Sequence, residues 1–457
     1  MAVKMTTRHI DVPSKKPVQR QWNMPTRVIF RLAFVYLALY TLVPLFFFAQ
    51  TNLHAPTLRA SHEHFWRSGL WSWAATHMFG ATPADAGVLT PDGFLGWLHI
   101  VWLLTIAAVA SALWSILDPK RLEYRRLHVW LRLIVRIALA LTLTAYGAEK
   151  IWPVQFPLAR PHQLLGQLSD YSPAQLLWVF IGTSRGYEAF TGAVELLGAA
   201  LLFVPQSTTL GALVALAATM NVFMLNVFYD VTVKNFSLHL VLMALFLLIP
   251  DIRRLVNVFV LNRGAAPADH VPLFRRKGLA RAAFVVQIAI GIAAITQSLM
   301  LAKTHSASMN VFDQSRVPWY GVWNVTEFRL DGIAHPPLTT DELRWQRVVF
   351  DYYFNASIQR MNGAVVNVRT RRDARSNAIA FDRTGEPNPE ALERYGPTWK
   401  ADFTAEMRSS DLMVLHGQYN GHPAEIVLRR EDTNFPLSSH ETHWIIRGPA
   451  HPGSPYF

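Results

Sequence analysis

The stretch Leu210–Pro250, LGALVALAATMNVFMLNVFYDVTVKNFSLHLVLMALFLLIP, holds two long apolar runs joined by a short polar link. At ~1.5 Å of rise per residue, a run of this length approaches or matches the ~30 Å thickness of a hydrocarbon core. Backbone polar groups in hydrocarbon must satisfy one another, so each run is expected to be an α-helix. The spans are Leu210–Phe228 and Phe236–Ile252. The link Val231–Asn235 turns the chain back into the membrane. Polar residues collect around that turn: Asn221, Asn226, Tyr229, Asp230, Lys234, Ser237 and His239.

The same pattern repeats outward in both directions. Val28–Ala49, Gly93–Leu117, Leu131–Gly147, Tyr187–Val204 and Gly278–Leu301 complete a set of seven expected spans over residues 28–302. The composition agrees, with 51% hydrophobic and 16% charged residues, where a soluble chain carries about 25% charge. The expected organisation is a basic cytoplasmic N-terminus (1–27), a helical membrane domain (28–302) and an all-β domain (303–457).

The net charge of +12 suggests nucleic acid at first sight, but its distribution argues against it. Lys120, Arg121, Arg125 and Arg126 flank one side of the spans. Arg253, Arg254, Arg263, Arg275, Arg276, Lys277 and Arg281 lie on the same side. Alternate loops carry little more than Arg59, Arg67, Lys150, Arg160, Arg185 and Lys234. Basic residues in short loops set orientation and meet anionic headgroups. Membrane lipids are therefore the expected partners, and nucleic acid is not. The rule places the N-terminus in the cytoplasm, and seven spans then carry the C-terminal domain to the periplasmic or extracellular side of a bacterial inner membrane. The polar, basic start followed by a long apolar run reads as a signal anchor.

The absence of cysteine excludes disulfide and thiolate chemistry within this chain. His62–Gly80, HEHFWRSGLWSWAATHMFG, is rich in Trp and reads as a helix lying in the membrane interface. Its histidines, with His54, lack a carboxylate at firm ligand spacing, so no metal site is expected.

Glu195 lies about eight residues into the fourth span, or ~12 Å deep, and Asn221 is at a similar depth in the fifth. Glu188 and Glu195 are seven apart and share a helical face. Lys150 marks the outer end of the third span. A carboxylate at that depth resists ionisation unless paired or hydrated. Glu195, Lys234 and His239 are the candidate catalytic residues. Lys150, Glu188, Asn221, Asn226, Tyr229, Asp230 and Ser237 are candidates for holding a ligand in an outer-leaflet pocket. The alternative is that Asn, Ser and His join neighbouring helices, and that Asp230 and Lys234 form a surface ion pair.

Four stretches carry a family likeness. They are Gly147-Ala-Glu-Lys150, Phe190-Thr-Gly-Ala-Val-Glu195-Leu-Leu-Gly198, Asn221-Val-Phe-Met-Leu-Asn226-Val-Phe-Tyr229-Asp230-Val-Thr-Val-Lys234 and Ser237-Leu-His239-Leu. On these, segment 147–256 resembles the DoxX-type membrane proteins. The resemblance implies a four-helix core within about 130–256. It also implies a place beside quinone-linked electron transfer, with quinone as the possible cofactor. Without cysteine, a sulfur-handling role would need a partner subunit. A fainter likeness, of fold only, links the helices to the membrane region of vitamin K-dependent carboxylases.

Beyond about Ser308, apolar and polar residues alternate. Strands are expected at Trp345–Tyr353, Ala356–Met361, Val365–Thr370, Asn377–Asp382, Thr398–Ala405, Leu412–Tyr419, Ala424–Arg430 and His443–Arg447. A further strand carries Val322, Thr326, Phe328 and Leu330 on one side, and Trp323 and Val325 on the other. Tyr419-Asn-Gly-His422 reads as a hairpin turn. Short strands at this density predict an antiparallel β-barrel or β-sandwich. Gly321-Val-Trp323 is similar to the Gly-x-Trp start of lipocalins, which implies Trp323 at a barrel end with Arg429 or Arg447 over it.

Three functions remain open. One is quinone or isoprenoid binding within a membrane oxidoreductase system, with Glu195 moving protons and a redox partner subunit supplying electrons. Another is non-enzymatic lipid binding or complex scaffolding. The third is transport, for which no clear inverted repeat is visible.

Overall fold

The computed structural model describes residues 22–42, 45, 48, 70–80, 91–267, 273–311, 319–351, 355–373, 375–382, 400–432, 435 and 437. Its helices are α1 (Met24–Tyr40), α2 (Leu70–Phe79), α3 (Phe94–Leu117), α4 (Arg125–Ile151), α5 (Pro161–Leu165), α6 (Pro173–Gly182), α7 (Arg185–Phe203), α8 (Thr208–Phe228), α9 (Lys234–Leu248), α10 (Ile252–Phe259) and α11 (Lys277–Val311). Six helical segments among the described residues are long and apolar enough to cross a membrane. They correspond to the second through seventh expected spans. The first expected span begins with α1, and most of residues 43–50 lie outside the described ones. α4 outruns its expected span at both ends, because Arg125 and Lys150 extend the helix beyond the apolar run that marks it in sequence.

The chain forms two compact units, Met1–Leu139 with Met243–Val285, and Ala140–Leu242 with Val286–Phe457. In the first, Arg31 is buried and each of its three guanidinium nitrogens donates. It donates to the Tyr124 hydroxyl at 2.6 and 3.0 Å, to Ser115 Oγ at 2.7 Å and to the Asp118 carbonyl at 2.8 Å. Phe30 stacks on Tyr124, with Trp114 edge-on to the same ring. A buried guanidinium is tolerated when its donors are used.

The second unit holds α7, α8, much of α4 and α11, and a β-barrel. Its strands are β1 (Gly321–Leu330), β2 (Ile333–Ala334), β3 (Trp345–Phe350), β4 (Asn355–Arg360), β5 (Val365–Asp373), β6 (Ala378–Asp382), β7 (Lys400–Met407), β8 (Leu412–Tyr419) and β9 (His422–Glu431). Successive strands pair antiparallel, β2 is a short appendage on β1, and β9 returns to pair with β1. The result is a closed eight-stranded barrel. Closure decides between the two expected all-β forms, because it leaves neither terminal strand as an open edge. Asn420 and Gly421, with φ of +53° and +84°, make the expected β8–β9 turn. Expected strand His443–Arg447 lies outside the described residues.

One expectation about β1 is corrected. Trp323, Val325, Phe328 and Leu330 all join the barrel core. A bulge between Val325 and Glu327 shifts the register by one residue, so the two halves of the strand have opposite parity and the same inward side. The barrel interior is filled by side chains. Trp345 lies at its centre, edge-on to Phe381, Phe403 and Tyr419. At one end Arg430 covers Trp323, its guanidinium 5.1 Å from the ring, and donates to the Tyr320 carbonyl at 2.7 Å. The covering residue is Arg430 in place of Arg429, because Arg430 is the cross-strand partner of Trp323 and points to the same side of the sheet. Arg447 lies outside the described residues.

Candidate functional site

α4 and α7 meet backbone to backbone. A Cβ placed on Gly147 would lie 2.9 Å from the Gly192 carbonyl oxygen, and one on Gly192 would lie 2.7 Å from the Gly147 carbonyl oxygen. Small residues permit this approach, and a larger one would force the helices apart. Gly147 also faces Leu196 while Gly192 faces Ile151, so the helices run antiparallel. Helical side chains lean toward their own N-terminus. In an antiparallel pair, residues one turn beyond each glycine therefore lean toward one another.

Those residues are Lys150 and Glu195. Lys150 Nζ donates to both carboxylate oxygens, at 2.9 and 2.7 Å. The two side chains are only 7% and 6% exposed. Pairing removes the isolated buried charge that Glu195 would otherwise be. The Tyr146 ring lies 5.6 Å from the same ammonium.

Glu188 is placed differently. Its side chain is 0% exposed, and Arg185 approaches Oε2 only to 3.6 Å. Oε1 accepts the Phe156 backbone N–H at 3.2 Å. Oε2 has no hydrogen-bond partner among the described residues. Phe156 belongs to an apolar group with Leu177, Ile181 and Val231.

Between α8 and α9, buried Asn226 donates to Ser237 Oγ at 3.0 Å. His239 Nδ1 lies 2.6 Å from the Asn235 carbonyl, within its own helix. Asp230 stands at the turn with φ +54°. It pairs with Lys234 at 2.6 Å, but its side chain is 82% exposed. Asn221 and Tyr229 are also exposed.

The ten candidates thus fall into two sets. Lys150, Glu188, Glu195, Asn226, Ser237 and His239 are buried. Asn221, Tyr229 and Asp230 face outward, with Lys234 part-buried beside them. Depth along a helix does not fix facing. Asn221 and Asn226 are five residues apart, about 140° around the helix, so burying one turns the other out. Among the described residues, no three His, Asp or Glu side chains are grouped to hold a metal ion.

Sequence reading passed over the connector between α4 and α7. Arg160 donates to the Asp351 carbonyl at 2.8 Å, and His162 Nδ1 lies 2.5 Å from Asp351 Oδ2. Gln359 on β4 donates to the Leu165 carbonyl at 3.3 Å. This segment lies along the outer face of β4, which accounts for the burial of Ser357 and Gln359 there. The one local signal is the capping box Ser172-Pro-Ala-Gln175 that starts α6. Nothing adjacent in sequence to Asp351 announces its partners, nearly two hundred residues earlier.

No protein-family model matches the chain, and no solved structure matches it. Uncharacterized protein YwoB of Bacillus subtilis (strain 168) is 32% identical to it over 124 residues, 27% of this chain and 79% of that protein. The chain belongs to the family of YwoB. The YwoB likeness covers most of a much shorter protein, so this chain carries a large additional part. No activity attaches to YwoB through its name.

Proposed function

We propose that this is a multi-pass protein of a bacterial inner membrane, DoxX-like in its core, that binds a quinone or isoprenoid-like lipid at the outer end of α8. The N-terminus is cytoplasmic and the barrel exoplasmic in this reading, on the strength of the loop charges. One observation carries the ligand reading. Asn221 and Tyr229 keep an amide and a hydroxyl with no hydrogen bond to any described residue, on the exposed side of a spanning helix. A polar group at the depth of Asn221 is costly without a partner, and Tyr229 follows at the end of the span. A quinone fits this donor set, since its carbonyl oxygens accept hydrogen bonds and its ring and tail suit exposed Met224 and Phe228. Bound there, a quinone would supply two-electron, two-proton redox chemistry, with electrons delivered by a partner subunit. Asn221 and Tyr229 would orient the headgroup, Lys234 would add positive charge, and the Lys150–Glu195 pair would hold α7 against α4 beside it.

The internal pairing of Asn226 with Ser237 and of Lys150 with Glu195 favours a second reading, a lipid-binding or complex-scaffolding protein without turnover. The test is extraction and mass spectrometry of small molecules from the full chain purified in lipid nanodiscs, with Asn221→Ala and Tyr229→Phe in parallel. A stoichiometric quinone or isoprenoid, depleted in both variants, is the expected result. Bulk phospholipid alone in all three samples would overturn the ligand reading and leave the scaffold.

A further inference from the structure

The buried acidic groups of the second unit are unequal. Glu195 is held by Lys150 on both oxygens. Glu149 lies within electrostatic range of Lys150, His305 and Glu195, and its side chain is part-exposed. Glu188 and Asp351 both combine complete burial with a carboxylate oxygen that no described donor reaches within hydrogen-bond distance, but Asp351 has the His162 ring and backbone N–H on its other oxygen, whereas Glu188 has a single backbone N–H.

The surroundings of Glu188 can be enumerated. On its own helix Arg185 stands at 3.6 Å, with 47% of its side chain exposed. Lys150 is the charge facing it from α4. The connector offers the Phe156 N–H and a phenyl ring. α6, which packs with Phe156 through Leu177 and Ile181, contains no ionisable side chain. An ionised carboxylate wants several donors, and this one has a single backbone N–H and a guanidinium beyond hydrogen-bond reach. The neutral acid leaves only one O–H unpaired, a far smaller desolvation cost than an under-coordinated anion.

We infer that Glu188 is a reversible proton-binding site at the outer end of the helix bundle, and that Lys150–Glu195 is a fixed ion pair beneath it. Proton binding forms the Oε2–H bond and breaks none. It neutralises the carboxylate and releases Arg185 from its only carboxylate contact among the described residues. Arg185, with 47% of its side chain exposed, connects the site to the surface. Stored there, a proton is available to a ligand oxygen or to water without disturbing the packed glycine contact. The inference does not rest on quinone binding, since it concerns the protein without added ligand.

Infrared difference spectroscopy of the full chain in nanodiscs, stepped from alkaline to acidic buffer without quinone, tests it. A weakly hydrogen-bonded carboxylic acid absorbs at higher C=O frequency than solvated acids. That band is expected to grow as pH falls, to vanish in Glu188→Gln and to persist in Glu195→Gln. Arg185→Gln removes the nearest cation and should move the band's midpoint to higher pH, a readout that a purely structural role would not alter. A band that survives in Glu188→Gln, or is lost in Glu195→Gln that remains folded, overturns the inference. If Glu188→Gln does not fold, Arg185→Gln decides: a shifted midpoint supports it and an unchanged one overturns it.

Discussion

The barrel and the α4–α7 helix pair are both closely packed, yet they use their interiors in opposite ways. The barrel fills its centre mainly with apolar side chains, with Thr370 beside Phe381 on the inward face, and most of its polar groups serve its ends and its outer face. The helix pair brings two glycine backbones together and buries a lysine and a glutamate one turn away. Both solutions follow from where backbone hydrogen bonds are made. A barrel satisfies them between strands and needs side chains to fill its lumen. A helix satisfies them internally, so two helices can touch at bare backbone and hold what polar side chains remain by direct pairing.

The contrast can be broken by substitution, and two changes should be largest. Trp345→Ala should destabilise the barrel by about 3–5 kcal/mol, since the ring touches aromatic residues on several strands and no one neighbour can fill its volume. Glu195→Gln should cost about 3–5 kcal/mol by stranding the Lys150 ammonium. Thermal unfolding in nanodiscs measures both. The two regions then differ in rescue. Adding Lys150→Met to Glu195→Gln should recover most of the loss. No second single substitution should restore Trp345→Ala. Failure of that rescue would mean that the ion pair stabilises the bundle outright.

A smaller effect separates the regions by pH. Burial opposes ionisation of Asp341, near the start of β3, but N–H groups of Arg344 and Leu343 and the His335 ring outweigh it. Together they hold its carboxyl below the usual range. A depressed folded value means that its contribution is fully present above the unfolded value of about 3.9 and is lost as pH falls through the folded one. Asp341→Asn should therefore flatten the acid limb of the barrel's stability, by about 1 kcal/mol. Melting followed through barrel tryptophan fluorescence across acidic buffers checks this.

The smallest effect should come from Asp230→Ala. The Asp230–Lys234 contact is short, but its carboxylate is largely in solvent. Its loss should change stability by under about 0.5 kcal/mol. A larger change would place Asp230 in a constrained site and turn attention back to the helix link.

Much of the strand pattern was legible in sequence because alternation is local. Strands at Trp345, Val365 and Leu412 begin on the expected residues. The Asn420-Gly421 turn was equally local, since those residues tolerate positive φ. The bulge in β1 was not legible. It depends on how β9 pairs across the closure, which alternation within one strand cannot report. In the site, Gly147-Ala-Glu-Lys150 was visible as polar residues at a helix end and Gly192-Ala-Val-Glu195 as a carboxylate within a span. Their partnership depends on the antiparallel crossing.

The apolar helices, the charge asymmetry of their loops, the β character of the C-terminal region and the shared depth of Glu195 and Asn221 were all legible along the chain. Each follows from spacing along the chain, through the 3.6- and 2-residue periods and the cost of charge in hydrocarbon. Packing in three dimensions settled that the barrel closes, that its bulge turns Phe328 and Leu330 inward beside Trp323, and that Lys150 answers Glu195 while Glu188 keeps an oxygen without a partner among the described residues. Those outcomes depend on which surfaces of distant segments meet, and periodicity within one segment carries no record of the other.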